Sequence, residues 1–399
     1  MNYIVFLISM FYAALAMSAP HPEQRLVEAI EEIQLSNVGE AELKLKQLIE
    51  AVPDFKLAQL IYADTLMSKV NGLGGVAAGL EDGPEKTLFL REIKSRYQAL
   101  NNKSLLQKLP SSLTRLDNFY RHAIVVDLRQ SRLYLFDNSQ RVPVLIKDFF
   151  ISMGQGGAGK FVEGDLKTPL GVYFVQSYIS PEQLADKYGA GAYPVNYPNA
   201  WDRLQGRTGS GIWLHGTRSG IYNRPLLASR GCVVLPNDDL LNVGEHIDLK
   251  NTPMLMSDGI EWLPLDLWKQ HQQSVNQMHV QWKLDWESLN VDKYLSHYSQ
   301  RFVSGGSSRN RKNFSQWAEH KRRILKNRAF VSVELSNVSL LMHPQENVLV
   351  ATFLQTYTSD NYSGQSWKRQ YWNKEADGKW RIVFEGKISA PVEAQVAGR

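Results

Sequence analysis

Residues Gly211 to Leu240 read GIWLHGTRSGIYNRPLLASRGCVVLPNDDL. One short apolar run ends on His215. Another begins at Cys232, the only cysteine among 399 residues, and a turn-rich segment lies between them. An imidazole and a thiol brought together on two adjacent strand ends form a base and a nucleophile. Gly216 lets the chain turn directly after the histidine, and Gly231 lets the backbone come close to a substrate ahead of the thiol. Amides around Gly231 and Cys232 then face a developing oxyanion. Each half also has a plainer reading: a free cysteine beside glycine serves as a small core residue, and a histidine at a strand end as a structural one.

The rest of the chain is long enough for two or three cores. With 43% hydrophobic and 21% charged residues the composition is globular, which argues against long disorder and against a polytopic membrane protein. The formal net charge of +5 suits an anionic polymer as well as a nucleic acid, and nothing selects nucleic acid. One cysteine makes no internal disulfide. Nine scattered histidines without an HxxxH or CxxC pair do not suggest a metal hydrolase, and no cofactor is expected. Ile4 to Ala16 is almost wholly apolar and is followed by small residues, so residues 1–19 read as a signal peptide for export to the periplasm, or as an anchor if uncleaved.

Residues 20–110 carry helical spacing: Leu26, Ala29, Ile30 and Ile33, then Ala41, Leu45, Leu48 and Ile49, then Leu57, Leu60 and Ile61 after Pro53. This α-helical unit resembles a tetratricopeptide-like pair, but one and a half repeats are too few for a solenoid, and a plain helical cap on the next domain is the preferred reading. Asn71 to Pro84 is glycine-rich and reads as a linker or mobile loop, with a further helix near Glu85 to Leu100. From about Phe119 the period becomes two. Ala123 to Leu128 and Arg132 to Phe136 form a hairpin, followed by Val142 to Ile146 and Phe149 to Ser152 as separate strands. Gly154 to Lys160, GQGGAGK, has P-loop spacing, but Phe161 stands where Ser or Thr belongs, so a mobile glycine turn is expected instead. The tyrosine- and proline-rich stretch Ser180 to Gly209 reads as a substrate lid.

Residues 111–258 thus make a mainly-β domain, 259–273 a linker, and 274–388 an α+β domain. In the last, amphipathic Val275 to Tyr298 and Phe314 to Leu325 precede four strands near 330–342, 348–358, 365–373 and 379–384. Between Arg301 and Arg328 nine Lys or Arg residues face one acid, Glu319.

His215 and Gly216, then a spacer, then Ser229, Arg230, Gly231 and Cys232 resemble the motif of the L,D-transpeptidase catalytic-domain family. EGDLKTPLGVY, Glu163 to Tyr173, is similar to a second family segment, and the resemblance spans about Arg121 to Met256. Many members have His at the position of Arg230, and Arg at that of Val234. The resemblance implies an enzyme that attacks the carbonyl of the diamino acid in a peptidoglycan stem peptide and holds it as a thioester on Cys232, with His215 as base. Ser229, Arg230 and Gly231 would shape oxyanion and substrate contacts, and Gly216 the turn. A backbone carbonyl would orient His215, and Trp213, Tyr193, Tyr197, Trp201 and Arg207 would stand near the substrate channel. The acceptor stays open: an amine of a second stem peptide or of a lipoprotein makes it a transpeptidase, and water makes it an L,D-carboxypeptidase. The C-terminal layout resembles the nuclear-transport-factor-2-like module, a pairing similar to that of cell-shape enzymes. A non-catalytic peptidoglycan-binding scaffold is the alternative of another class.

Overall fold

The computed structural model describes residues 20–71, 77, 81–101, 103–140, 142–306 and 310–390. The expected signal peptide and most of the glycine-rich stretch after Asn71 lie outside them. The chain divides into two compact units: the described residues up to Pro53 with those of Leu57–Leu80, and Asp54–Lys56 with those from Glu81 onward. In the first unit, helices Pro22–Gln34 and Val38–Ala51 pack through Leu26, Ala29 and Ile30 and through Ala41, Leu45 and Leu48, the spacing read from the sequence. A third helix, Lys56–Asn71, follows. The division falls near residue 80, so helix Pro84–Asn101 goes with the β-rich part and not with the helices before it, unlike the expected boundary at residue 110.

The second unit is built on a five-stranded sheet in the order Val144–Phe150, Arg132–Asp137, His122–Asp127, Pro253–Ser257, Gly171–Phe174. The hairpin forms as expected, with Ser131 at φ 56° in its turn and the Gln130 amide on Asp127 Oδ1 at 2.9 Å. The two strands expected at Val142 to Ile146 and Phe149 to Ser152 are one, Val144–Phe150, because a bulge opposite Leu135 and Phe136 absorbs the break in alternation.

Alternate residues of these strands enter different cores. Ile124, Val126, Leu133, Leu135, Met254 and Met256 pack with Leu214 and Val233 on one face. Val125, Tyr134, Phe136, Val172 and Leu255 pack with Trp268, Leu341, Val348, Val350 and Val383 on the other. A sheet buried on both faces explains the near-continuous apolar runs.

The residues covering that second face come from the C-terminal module. Its sheet runs Tyr298–Ser304, Trp380–Lys387, Tyr362–Lys374, Val348–Ser359, Val331–Met342, antiparallel except for the first pair. The four later strands stand close to where the turns placed them, whereas Tyr298–Ser304 begins at the last residue of the stretch read as helix and was not expected. The 259–273 linker is absent: Trp262–Pro264 pairs with Lys108–Pro110, and helix Leu265–Glu287 starts inside it, anchored by Trp268 donating to Leu113 O at 3.0 Å. Arg115 and Leu340 exchange backbone hydrogen bonds of 2.9 and 2.8 Å, and Glu346 accepts from Trp201 Nε1 at 2.6 Å while pairing with Arg207.

His279 is buried among Trp282, Phe353 and Trp372, and burial drives its imidazole down to about 3. The unfolded chain binds that proton near the ordinary value of 6.5, and the folded chain does not. Stability is therefore lost as pH falls below that value, by about 1.4 kcal/mol per pH unit for each such histidine. Thermal unfolding followed from neutral pH downward is expected to show this slope, and His279→Phe, which keeps a ring in the same packing, to flatten it.

Candidate active site

A three-stranded sheet holds the two residues singled out in the sequence. Trp213–His215 lies at its centre, antiparallel to Ala192–Pro194 and parallel to Val233–Val234, with Leu214 opposite Val233 and His215 opposite Val234. Parallel neighbours require a crossover, which is the segment from Gly216 to Cys232. Cys232 therefore stands one residue ahead of the strand that flanks His215.

His215 is buried, and its Nδ1 donates to Gly216 O at 2.7 Å. Because that carbonyl can only accept, Nε2 is left as the basic nitrogen. Burial pushes the imidazole down to about 4, with Arg224 and Lys187 adding to the shift and the Gly216 bond opposing it. Tyr188 lies edge-on to the ring at 5.0 Å and packs against Trp213 at the same centroid distance. Cys232 is partly exposed, its thiol donating to Gly211 O at 3.5 Å. Burial also raises the thiol, while the Trp213 amide, Arg224 and Lys187 favour its anion. At neutral pH the resting pair is thus a neutral thiol and a neutral imidazole.

The neighbours of the pair act differently from their expected roles. Gly216 is needed for close approach: a Cβ there would lie 2.2 Å from Asn237 Oδ1. That oxygen accepts the amides of Ala190 at 2.9 Å and Thr217 at 3.0 Å, tying the loop at 188–191 to the end of the histidine strand. Gly231 has φ 122°, and a Cβ would come within 2.7 Å of Lys167 O. Its amide does not face the substrate side, because it donates to Ser229 Oγ at 3.1 Å. Ser229 in turn donates to Cys232 O at 2.6 Å, so this buried hydroxyl braces the turn. Arg230 is exposed. Val234 is buried in its strand.

Of the aromatic and basic residues expected near a channel, Trp213 stands beside the pair. Tyr197 does not: it is buried against Tyr173, and its hydroxyl donates to Thr208 O at 2.9 Å. Arg207 and Trp201 are also elsewhere, held at the junction with the C-terminal module by Glu346 and, for Arg207, by Asp202 at 3.0 Å. Tyr193 is half-buried on Tyr178.

Much of the expected lid is built into the fold, since Ala192–Pro194 is a sheet strand and Ala200–Leu204 a helix with an Asn199/Asp202 capping box. The stretch that borders the site is the turn Asp186–Tyr188. The GQGGAGK segment is a braced turn, its Lys160 bound to Asp165 at 2.8 Å and to Val162 O at 3.0 Å. Arg224, Asn237 and Tyr188 were not picked from the sequence. Each lies in a loop or at a helix start without a residue spacing that marks it. Among the described residues no group of three His, Cys, Asp or Glu side chains could hold a metal.

A concavity of about 540 Å³ lies in the C-terminal module between Trp286, Trp317, Lys321, Tyr357, Lys368 and Glu385. Burial lowers Lys321 to about 8, partly offset by Glu385, which is itself held ionised by Lys368 and Lys321 against its own burial.

Residues 121–256 match the L,D-transpeptidase catalytic domain, and residues 274–386 match the Cds6 C-terminal NTF2-like domain. Bd1075 of Bdellovibrio bacteriovorus superposes with a TM-score of 0.62 at 29% identity, covering 71% of this chain and 100% of that one. The helical cell shape determining protein Pgp2 of Campylobacter jejuni gives 0.55 at 22% identity, covering 75% of this chain and 98% of its own, which is a likeness of fold. No curated protein matches.

Gly231→Ala is expected to abolish the site's reactivity and lower stability by roughly 1–3 kcal/mol, since the left-handed φ and the contact with Lys167 O both oppose a side chain. Thermal unfolding together with the rate of Cys232 alkylation checks it, and wild-type values in both would sink the assignment.

Proposed function

For a chain that carries an L,D-transpeptidase catalytic domain joined to an NTF2-like domain, we propose that Cys232 and His215 carry out acyl transfer on peptidoglycan stem peptides. The observation that supports this most is the parallel pairing that puts a partly exposed thiol at the start of the strand flanking a buried imidazole whose Nδ1 is engaged by Gly216 O. His215 Nε2 takes the thiol proton as Cys232 Sγ attacks the carbonyl of the diamino acid. The tetrahedral intermediate collapses by breaking the bond to the terminal D-amino acid, whose nitrogen receives the proton from His215, and a thioester remains on Cys232. An acceptor amine, deprotonated by His215, then takes the acyl group and restores the thiol. This is the transpeptidase outcome, and water in the same place gives the L,D-carboxypeptidase.

Such work lies outside the cytoplasmic membrane, in keeping with the apolar stretch Ile4 to Ala16. A role in wall remodelling and cell shape is favoured by the fold shared with Pgp2. The C-terminal module is the part to which a non-catalytic scaffold role would fall.

Cys232→Ala is expected to lose all turnover of disaccharide tetrapeptide while still binding sacculi. Mass spectrometry of the muropeptides names the acceptor: dimers joined between diamino acids mean an amine, and tripeptides alone mean water. Unchanged turnover would leave the scaffold reading standing. Because burial holds His215 down to about 4, kcat/KM should stay flat through neutral pH and fall only as that value is approached from above. An acid limb near 6.5, the ordinary histidine value, would overturn the neutral-base assignment.

A further inference from the structure

The crossover between His215 and Cys232 carries a charge that this chemistry leaves unused. Arg224 is half-buried, and its Nη2 donates to the backbone carbonyl of Lys187 at 2.5 Å. Its own carbonyl is fixed by Ser152 Oγ at 2.8 Å and Asn223 Nδ2 at 3.0 Å, so the side chain starts from an anchored backbone. Among the described residues no carboxylate lies within ion-pair distance of the guanidinium. Asp186, which precedes Lys187, is committed elsewhere: it accepts the amide and hydroxyl of Ser219 at 3.1 and 2.5 Å and faces Arg218 at 3.9 Å.

The charges bearing on Cys232 are Arg224 and Lys187, and the same two bear on His215. Among the described residues the charges that act on both members of the pair are thus two cations. A guanidinium withdrawn from water normally has an anion in its planar fork, and its remaining donors suit a carboxylate.

The proposed reaction brings one anion to this place. When Cys232 attacks the bond before the last residue of a stem peptide, the free carboxylate belongs to the very next residue, whose Cα is about 3.8 Å from that of the attacked one. We propose that Arg224, assisted by Lys187, binds the terminal carboxylate of the donor peptide and so selects donors that end one residue beyond the scissile bond. The assignment rests on the acyl-transfer reading for its ligand, and it makes Arg224 a specificity-determining residue that touches substrate. The carboxylate departs with the leaving D-amino acid, which frees the cations before the acceptor enters.

The test uses the full chain with Cys232→Ala, titrated calorimetrically with disaccharide tetrapeptide as the free acid and as its C-terminal amide. The acid should bind roughly 10- to 100-fold more tightly than the amide, the size of one charge-assisted contact. Arg224→Gln on the same background should erase that preference while leaving amide binding in place, and Arg224→Lys, which keeps the charge, should restore part of it. Equal binding of acid and amide, or a preference that survives Arg224→Gln, overturns the proposal. Turnover of the same two peptides by the unsubstituted chain separates the two ideas. An acid preference in binding without any turnover sinks acyl transfer and keeps the carboxylate site, whereas turnover without that preference sinks the site alone.

Discussion

Two backbone registers, Leu214 with Val233 and His215 with Val234, are the constraint on which the site depends. A parallel pair cannot be closed by a tight turn, so the chain must leave the sheet after His215 and return before Cys232. That excursion brings Arg224 to the site. The register holds because Leu214 and Val233 are both in the core under the main sheet, among Ile124, Leu133 and Met254. A slip by one residue would turn these side chains out of that core.

Burial then decides the protonation states. It lowers the imidazole and raises the thiol, so the pair rests uncharged. Arg224 and Lys187 oppose the second effect without reversing it. The same fields that ease thiolate formation also disfavour an imidazolium, which keeps His215 in its basic form.

What could be read from the chain alone was local. His215, Cys232 and the two glycines stand within short motifs, and the apolar periods located the hairpin, the C-terminal strands and the N-terminal helices. The roles of the glycines shifted once their surroundings were known: Gly216 makes room for Asn237, and Gly231 gives its amide to Ser229. Arg207, Trp201 and Tyr197 looked like channel residues because polar and aromatic side chains cluster near them in sequence. Their partners Glu346, Asp202 and Thr208 show why they are not, and Glu346 lies 139 positions from Arg207, beyond the reach of any local pattern. Arg224 was equally hidden, since a lone arginine before a proline carries no periodicity, and its meaning comes from having no ion-pair partner among the described residues.

The main sheet has one further consequence. Its strands give alternate residues to the core shared with Leu214 and Val233 and to the C-terminal module, with Val125, Val172 and Leu255 pressed on Leu341, Val350 and Val383. Neither partner owns that layer. Severing the chain after Ser257 would strip the sheet of its cover and leave a sticky apolar plate facing water, an aggregation seed more than a smaller enzyme. A gene encoding this catalytic domain alone would have to repaint that entire face, so shuffling the two halves among other proteins is far harder than their separate folds suggest.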